Sequence, residues 1–442
     1  MTGLKVFNNA KWIVACKIVQ SLLQLVIGMI SARYLGPSNY GIINYAASLV
    51  AFVLPIMQLG LRAILVQEYV LSPAREGEIM GTCLLMNLTS AIACMLGVIG
   101  FALVANHGDK TTIIVCALYS TTMLFQVLEM QQCWFQARLL SKYSSLASLI
   151  AYVVVSAYKI YLLVAGKSVY WFALSHAVEY CAVGALMFVS YKKLSRQKLS
   201  VSLPLAKSMF AKSKYYIVAF MMSMVYANTD HVMLQNMIGA SENGYYSAAY
   251  TCTGVVAFVY SAIIDSARPV ILESKQKSQG SFERNVVRLY AIVCYICFAQ
   301  SLCFTVWAKL IVYILYGAEY NAAVPVLRIL VWQLAFSYMG SVRNIWILAE
   351  EKYSLLWRIN MAGAISNVIL NAVLIPHWGA CGAAFASVVT QIITNFVVGF
   401  ILKPIRENNR LLMEGLRPRA LIEVLVSLYQ MIKKKDVSHE DQ

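Results

Sequence analysis

Long apolar segments separated by short polar ones fill almost the whole chain. Twelve stretches of about 20 mostly apolar residues are bounded by glycine, proline or charge. They cover residues 12–34, 41–66, 79–105, 112–137, 144–165, 169–191, 214–237, 245–267, 287–314, 323–348, 354–375 and 379–402. Each is long enough to cross the hydrocarbon core of a bilayer as one α-helix. The pattern predicts an all-α, polytopic membrane protein with 12 transmembrane helices.

Composition supports this class and sets the orientation. Of the 442 residues, 60% are hydrophobic and 13% are charged, whereas soluble domains carry roughly 25% charge. The net charge of +16 would suit a nucleic-acid partner, but 26 of the 36 lysines and arginines lie in loops and tails on one side of the predicted bilayer. The opposite loops hold only Lys110 and Lys167. The positive-inside rule therefore places both termini in the cytoplasm. Because this rule accounts for the positive charge, we expect no nucleic-acid partner.

A turn that occurs twice indicates an internal duplication. The sequence LGPSNYG at 35–41 returns as IGASENG at 238–244, 203 residues later. Each half of the chain holds six segments inserted in the same sense, which predicts a parallel repeat of two lobes around a central cavity. The predicted domains are an N-terminal lobe 1–191, a basic cytoplasmic loop 192–213, a C-terminal lobe 214–402 and a cytoplasmic, basic, amphipathic tail 403–442 on the inner leaflet.

Charges inside the predicted spans are few and mostly basic. The basic residues are Lys17, Arg33, Arg62, Lys159, Lys309, Arg328, Arg343 and Arg358, and the acidic ones are Glu129, Glu179, Asp230 and Asp265. A charge facing lipid costs roughly 2.5–3.5 kcal/mol on the insertion scale. Arg33, Lys309, Arg328 and Arg358 lie close enough to span ends for their long side chains to reach the headgroups. The others require protein or water around them.

Helical spacing groups several of these charges. Lys17, Gln20, Gln24, Gly28 and Ser31 form a polar stripe on one face of the first span. That stripe must face protein or water.

Arg62 and Asp265 are separated by the same 203 residues as the two turns, and Arg268 follows one helical turn later. One interpretation is a set of buried ion pairs, with Arg62 and Asp265 among them. The other is a water-filled, net cationic cavity suited to an anionic substrate, since the forked donors of arginine match phosphate oxygens.

These observations select candidate site residues. The substrate-binding candidates are Lys17, Gln24, Arg62, Arg268, Lys159 and Arg343, and the ion-coupling or gating candidates are Asp230 and Asp265. Nothing in the sequence indicates catalytic residues, a metal or a cofactor.

Three further signatures stand out: ARYLGPSNYG at 32–41, TDHVML at 229–234 leading into GYYSAA, and NAVLIPHWGACGAA at 371–384. With these signatures the chain resembles the polysaccharide transporters of the multidrug, oligosaccharidyl-lipid and polysaccharide exporter superfamily, which includes O-antigen flippases. The resemblance implies two six-helix lobes that open alternately to either side. It also implies a glycan cargo on undecaprenyl diphosphate, moved from the inner to the outer leaflet of a bacterial cytoplasmic membrane. The family often has a basic residue beside the aspartate of the second signature, where this chain has His231.

We therefore expect a flippase for an O-antigen, capsule or exopolysaccharide repeat unit, and not an enzyme. The expected partners are the lipid-linked oligosaccharide, membrane lipids, a proton or sodium ion as candidate coupling ion, and a glycan polymerase or other assembly proteins. One alternative is an ion-coupled drug or organic-cation antiporter, which would favour acidic residues in its cavity. Another is a membrane-embedded glycan polymerase or ligase, which would need a large outer loop, whereas the predicted outer loops here are short.

Overall fold

The chain folds as an all-α protein. The computed structural model describes residues 2–106, 108–195, 197–352, 354–424 and 426. Regular structure within these ranges is helical, without a strand. The chain forms two compact units, Met1–Gly244 and Tyr245–Gln442. Both the all-α class and the polytopic membrane architecture are confirmed, whereas the lobe boundaries stay a prediction.

The helices follow one another with short connections. Those of the first unit are α1 (Thr2–Met57), α2 (Arg62–Leu71), α3 (Glu76–Ala105), α4 (Lys110–Ser120), α5 (Thr122–Gln126), α6 (Gln131–Ala137), α7 (Ser141–Val164), α8 (Val169–Leu194) and α9 (Leu203–Met237). Helix α10 (Ala240–Gly254) runs across the boundary between the units. Those of the second unit are α11 (Ala257–Lys277), α12 (Gln279–Tyr316), α13 (Ala323–Ala349), α14 (Ser354–Ile392), α15 (Val398–Ile401) and α16 (Arg406–Gly415).

Nine helical stretches of the described residues are long and apolar enough to cross a membrane, or ten if the bent pair α10–α11 counts as one span. Two of them are long enough for two spans each, because a single span needs only about 20 residues. Gly36 in α1 (φ 72°) and Gly379 in α14 (φ 53°) leave the helical conformation at the points where the sequence predicts one span to end and the next to begin. The count of twelve stays a prediction.

The two copies of the repeated turn contact each other in the first unit. A Cβ atom added at Gly41 would lie 1.9 Å from the carbonyl oxygen of Ala240, and one added at Gly244 would lie 1.9 Å from that of Pro37. The two contacts are reciprocal, since Pro37 corresponds to Ala240 and Gly41 to Gly244 at the 203-residue offset. Glycine at both places therefore allows the backbones to meet, as small residues do between membrane helices.

An asparagine adds a hydrogen bond to this contact. The Asn243 amide nitrogen donates to the carbonyl of Gly41 at 2.8 Å. Its Oδ1 lies 2.8 Å from Nδ1 of His231, which is buried. His231 thus helps to hold the joined turns, and we call the contact of 35–41 with 238–244 the turn clasp.

The basic loop predicted at 192–213 lies along the start of α3. Gln197 bridges it, because its side chain accepts from the backbone N–H of Gly77 at 2.9 Å and donates to the carbonyl of Pro73 at 2.9 Å. The backbone N–H of Ser202 donates to Thr82 Oγ1 at 3.0 Å. Residues 197–202, between α8 and α9, are therefore attached to α3 and the turn before it by specific hydrogen bonds.

The tail begins with a helix that is part of the second unit's core. Leu411 and Leu412 of α16 are buried, and the Tyr290 hydroxyl of α12 donates to Asn408 Oδ1 at 2.9 Å. Arg410 pairs with Glu283 at 2.7 Å. The amphipathic face of this part of the tail thus packs on protein. The basic run 433–435 lies outside the described residues.

Candidate functional site

A polar cavity of about 330 Å³ lies inside the first unit. The residues of α1 on both sides of its break at Gly36 form one wall, and α4, α7 and α8 form the rest. Its polar lining includes Gln24, Ser31, Asn44, Lys159, His176 and Glu179, and its aromatic lining includes Tyr40, Tyr119, Tyr152, Phe172 and Tyr180. Three members of the polar stripe predicted on the first span, Gln24, Gly28 and Ser31, face this cavity.

Lys159 and Glu179 form the charged part of the lining. Lys159 is 8% exposed, and its Nζ lies 4.0 Å from Glu179 Oε2. His176 is one helical turn before Glu179 on α8, and its ring lies 5.0 Å from that of Tyr119, measured between centroids. The lysine therefore faces a carboxylate, so the positive charge expected from the sequence is balanced locally.

Ser31 is the least satisfied polar group of this wall. It is 8% exposed, and its hydroxyl has no hydrogen-bond partner within the described protein. A serine in a helix commonly donates to the carbonyl one turn earlier, and a buried hydroxyl without a partner costs about 1–3 kcal/mol. This hydroxyl is therefore buried in the cavity wall without a partner among the described residues.

Two further cations lie towards the predicted cytoplasmic ends of their spans. Lys17 on α1 and Arg62 at the start of α2 are both exposed. Arg62 Nη2 donates to Gln132 Oε1 at 2.7 Å. The half-buried carboxylate of Glu129 interacts electrostatically with both cations. Glu179 interacts with the same carboxylate and faces Lys159, so Lys17, Arg62 and Lys159 stand against Glu129 and Glu179, and the group keeps a net positive charge.

The second unit has a smaller polar cavity of about 210 Å³ between α11 and α13. Asp265 and Arg268 line it and pair with each other at 3.2 Å, and both side chains are at least half exposed. Ser341 and Asn344 contribute further polar groups. The Asp265 carboxylate therefore has a basic partner on its own helix.

The remaining candidates are buried. Arg343 is 5% exposed and donates to the Thr394 carbonyl at 2.7 Å and to Asn344 Oδ1 at 3.4 Å. Asp230 is also 5% exposed, on α9 next to His231. Arg343 is held in the packing of the second unit, and the same burial separates Asp230 from solvent.

Sequence reasoning selected Lys159 but not its surroundings. It left out Glu179 and His176 as site residues, along with the tyrosines of the cavity. One sequence signal was available for Glu179: it and Lys159 lie in consecutive spans that are joined by a four-residue loop after Val164. Opposite charges in neighbouring spans are expected to pair.

Comparison with known proteins gives the family. A family model described as "Polysaccharide biosynthesis protein" matches residues 30–325, well over half of the 442-residue chain. The chain belongs to this family. The match covers the first two of the three signatures, and it confirms the resemblance to polysaccharide transporters.

Several relatives have low sequence identity to this chain and differ in how much of each protein is covered by the match. "Uncharacterized membrane protein MJ1068" of Methanocaldococcus jannaschii is 21% identical over 58% of this chain and 52% of that protein. "Capsular polysaccharide biosynthesis protein CapF" of Staphylococcus aureus is 22% identical over 87% and 96%. "Putative O-antigen transporter" of Salmonella typhi is 19% identical over 51% and 52%. The chain thus spans about half the length of two of these relatives and nearly all of CapF.

Solved structures share the fold. "Lipid II flippase MurJ, inward closed conformation" superposes with a TM-score of 0.70 at 15% identity, covering 95% of this chain and 92% of that one. An inward-facing multidrug resistance MATE family transporter of the MOP superfamily gives a TM-score of 0.61 at 14% identity, covering 90% and 96%. At these identities the likeness shows the fold alone.

Proposed function

We propose that this protein is a flippase that moves a lipid-linked oligosaccharide from the inner to the outer leaflet of a bacterial cytoplasmic membrane. The observation that carries the proposal is a polar, partly charged cavity inside a membrane-spanning unit of a polysaccharide biosynthesis family member. The names of the relatives support it, since they include an O-antigen transporter and a capsular polysaccharide biosynthesis protein.

The physical need for such a protein is clear. A glycan on a diphosphate carries many hydroxyl groups and about two negative charges, and each charge is costly in hydrocarbon. A polar pathway lowers that barrier while a prenyl chain stays in lipid. In this mechanism Lys17 and Arg62 bind the diphosphate as it leaves the cytoplasmic leaflet, because they retain a net positive charge beside Glu129.

The other candidates take separate parts in the proposal. Arg268 is a further candidate cation for the diphosphate, and its pairing with Asp265 would limit how tightly it holds that group. Asp230 and Asp265 are the candidates for ion coupling. Arg343 supports the packing of α13, because its guanidinium is already engaged by Thr394 and Asn344.

The turn clasp closes the outer side of the pathway in the same proposed mechanism. Both turns lie in loops that the charge distribution assigns to the outer side. Alternating access requires one side to be shut while the other is open. We propose that the clasp holds the outer side shut while cargo enters from the inner leaflet.

A vesicle assay tests the proposal. The purified protein is placed in liposomes with undecaprenyl diphosphate carrying a fluorescent disaccharide, and a membrane-impermeant quencher reports how fast the probe crosses. We expect crossing to be faster with protein than in protein-free liposomes, and slower when Lys17→Gln, Arg62→Gln and Arg268→Gln are combined. A crossing rate equal to that of empty liposomes would reject the flippase proposal.

The same liposomes separate the rival activity. A drug or organic-cation antiporter would export ethidium against an imposed pH or sodium gradient. We expect no such transport. Ethidium movement without glycolipid movement would favour the antiporter instead.

A further inference from the structure

We propose that the cavity between α1, α4, α7 and α8 is a saccharide subsite that receives a sugar unit of the lipid-linked cargo. This inference rests on the proposed function and adds where the sugar binds. The combination of neutral charge, mixed polar and aromatic lining, a buried hydroxyl without a partner, and position along α1 supports it.

The charge of the cavity argues against an ionic ligand. Its lysine faces Glu179 at 4.0 Å, so the pair presents no excess charge to a diphosphate or a metal cation. The other polar lining groups are hydroxyls, amides and the imidazole of His176. These groups donate and accept hydrogen bonds, as the hydroxyls of a sugar require.

The aromatic lining argues against a purely hydrophilic occupant such as water alone. Four tyrosines and Phe172 line the same space. A sugar has C–H groups on the faces of its ring and hydroxyls around its edge, and it therefore needs both kinds of wall. Small-molecule sites generally combine apolar walls with a few placed polar groups, in volumes of about 300–1,000 Å³. A volume of about 330 Å³ is at the lower end of that range and suits a single sugar ring.

Ser31 places in the wall of the cavity a hydroxyl that has no hydrogen-bond partner in the described part of the chain. Its hydroxyl is more than nine-tenths buried and has no partner within the described protein. On the opposite side of the α1 break, the amide of Asn44 donates to the Tyr40 carbonyl at 2.9 Å and lines the cavity beside it. A sugar hydroxyl that reached this part of the cavity wall would give Ser31 a hydrogen-bond partner.

The position of the cavity fits a sugar attached to the diphosphate. Lys17 and Gln24 are seven residues apart on α1, which corresponds to roughly 10 Å along a helix. A diphosphate held by Lys17 and Arg62 would thus place its first sugars at the Gln24 end of the cavity. The cation group and the saccharide subsite then recognise two consecutive parts of one molecule.

Binding measurements with matched lipids test the subsite. The full-length protein in lipid nanodiscs is titrated with bare undecaprenyl diphosphate and with the same lipid carrying one glucose, galactose or N-acetylglucosamine. We expect at least one sugar-bearing lipid to bind about tenfold more tightly than the bare lipid, because one or two net hydrogen bonds are gained. Ser31→Phe fills the cavity and should reduce this preference to less than about twofold while leaving the affinity for the bare lipid unchanged.

The neighbouring Ile30→Phe is the matched control, since Ile30 is 43% exposed and does not line the cavity. It should keep the sugar preference. If Ser31→Phe does not fold, Ser31→Ala removes only the hydroxyl and should still weaken the preference by a few fold. The inference is overturned if the wild type binds all four lipids equally, or if Ser31→Phe and Ser31→Ala keep the full preference. Failure of the wild type to bind even the bare lipid would reject the proposed function, and the subsite with it.

Discussion

The Lys159–Glu179 pair shows how one residue's role depends on its neighbour. Lys159 alone in a membrane helix suggests an anion site, but the carboxylate of Glu179 lies 4.0 Å away in a buried setting. Removing one member of a buried pair costs about 3–5 kcal/mol, because the other charge is left without compensation. We predict that Lys159→Met lowers the melting temperature markedly, as measured by thermal unfolding in detergent.

A double substitution separates pairing from cargo binding. Lys159→Met with Glu179→Leu removes both charges, and replacing a buried pair by apolar residues is often neutral. We expect the double variant to recover most of the melting temperature lost in the single variant. An equally unstable double variant would mean that Lys159 is held by other contacts.

Only part of this site could be predicted from sequence. The stripe from Gln24 to Ser31 was visible because helical periodicity places its members on one face whatever the surroundings. The partners of Lys159 were not visible, because which helices pack together is decided by tertiary contacts that periodicity does not encode. The cavity itself depends on the break at Gly36, which brings Asn44 back beside Ser31.

The backbones of the two repeated turns lie very close together at the turn clasp. A methyl group at Gly41 or Gly244 would sit 1.9 Å from a backbone carbonyl oxygen, and the backbone cannot move aside as a flexible side chain would. Overpacking of this kind typically costs about 1–3 kcal/mol. We predict that Gly41→Ala and Gly244→Ala each lower the melting temperature and increase labelling of the outer loops by an impermeant reagent.

Gly97→Ala on α3 is the control for the clasp. No atom lies within 4 Å of the added methyl group, and alanine is the better helix former. This variant should be as stable as the wild type or slightly more stable. If Gly41→Ala behaves like Gly97→Ala, the turns do not need to be in contact.

The burial of the tail helix α16 leads to a prediction that its sequence alone would not support. A short amphipathic stretch after the last span usually indicates a surface helix, yet Leu412 is only 1% exposed. We predict that Leu412→Ala destabilises the protein by about 2–5 kcal/mol, as core leucine truncations do. The comparison is Arg419→Ala, whose side chain is 89% exposed and pairs with Glu423 at 3.2 Å. That change should stay within about 0.5 kcal/mol, and equal effects of the two would place Leu412 outside the core.

Among the secondary-structure elements, the apolar segments could be predicted from the sequence, whereas the connections between them could not. The predicted segments fall in helical parts of the described chain, because about 20 apolar residues in lipid must satisfy their backbone groups internally. In α1 and α14 the backbone leaves the helical conformation at Gly36 and Gly379, so each comprises two helices that meet at a kink where the sequence predicts a span boundary. The attachment of 192–213 to α3 depends on individual side chains such as Gln197, which composition does not reveal.

For the whole molecule, the all-α class follows from the membrane environment, and the predicted orientation follows from the distribution of charge. The lysines and arginines concentrate in alternate connections, and Lys110 and Lys167 are the exceptions on the other side. The predicted orientation would set the Lys17 and Arg62 end of the proposed pathway at the inner leaflet, where the proposal has cargo enter. A test of topology is therefore also a test of where cargo enters.

Fusions to alkaline phosphatase provide that test, since this enzyme becomes active only where its disulfides form, outside the cytoplasm. Fusions after Lys110 and Lys167 are predicted to be active, and fusions after Lys142 and Lys198 inactive. A cytoplasmic fluorescent reporter at the same four positions should give the opposite pattern and controls for expression. The reversed pattern would put the cation group of Lys17 and Arg62 at the outer surface. It would then contradict loading of a diphosphate from the inner leaflet, while leaving the fold and the turn clasp unaffected.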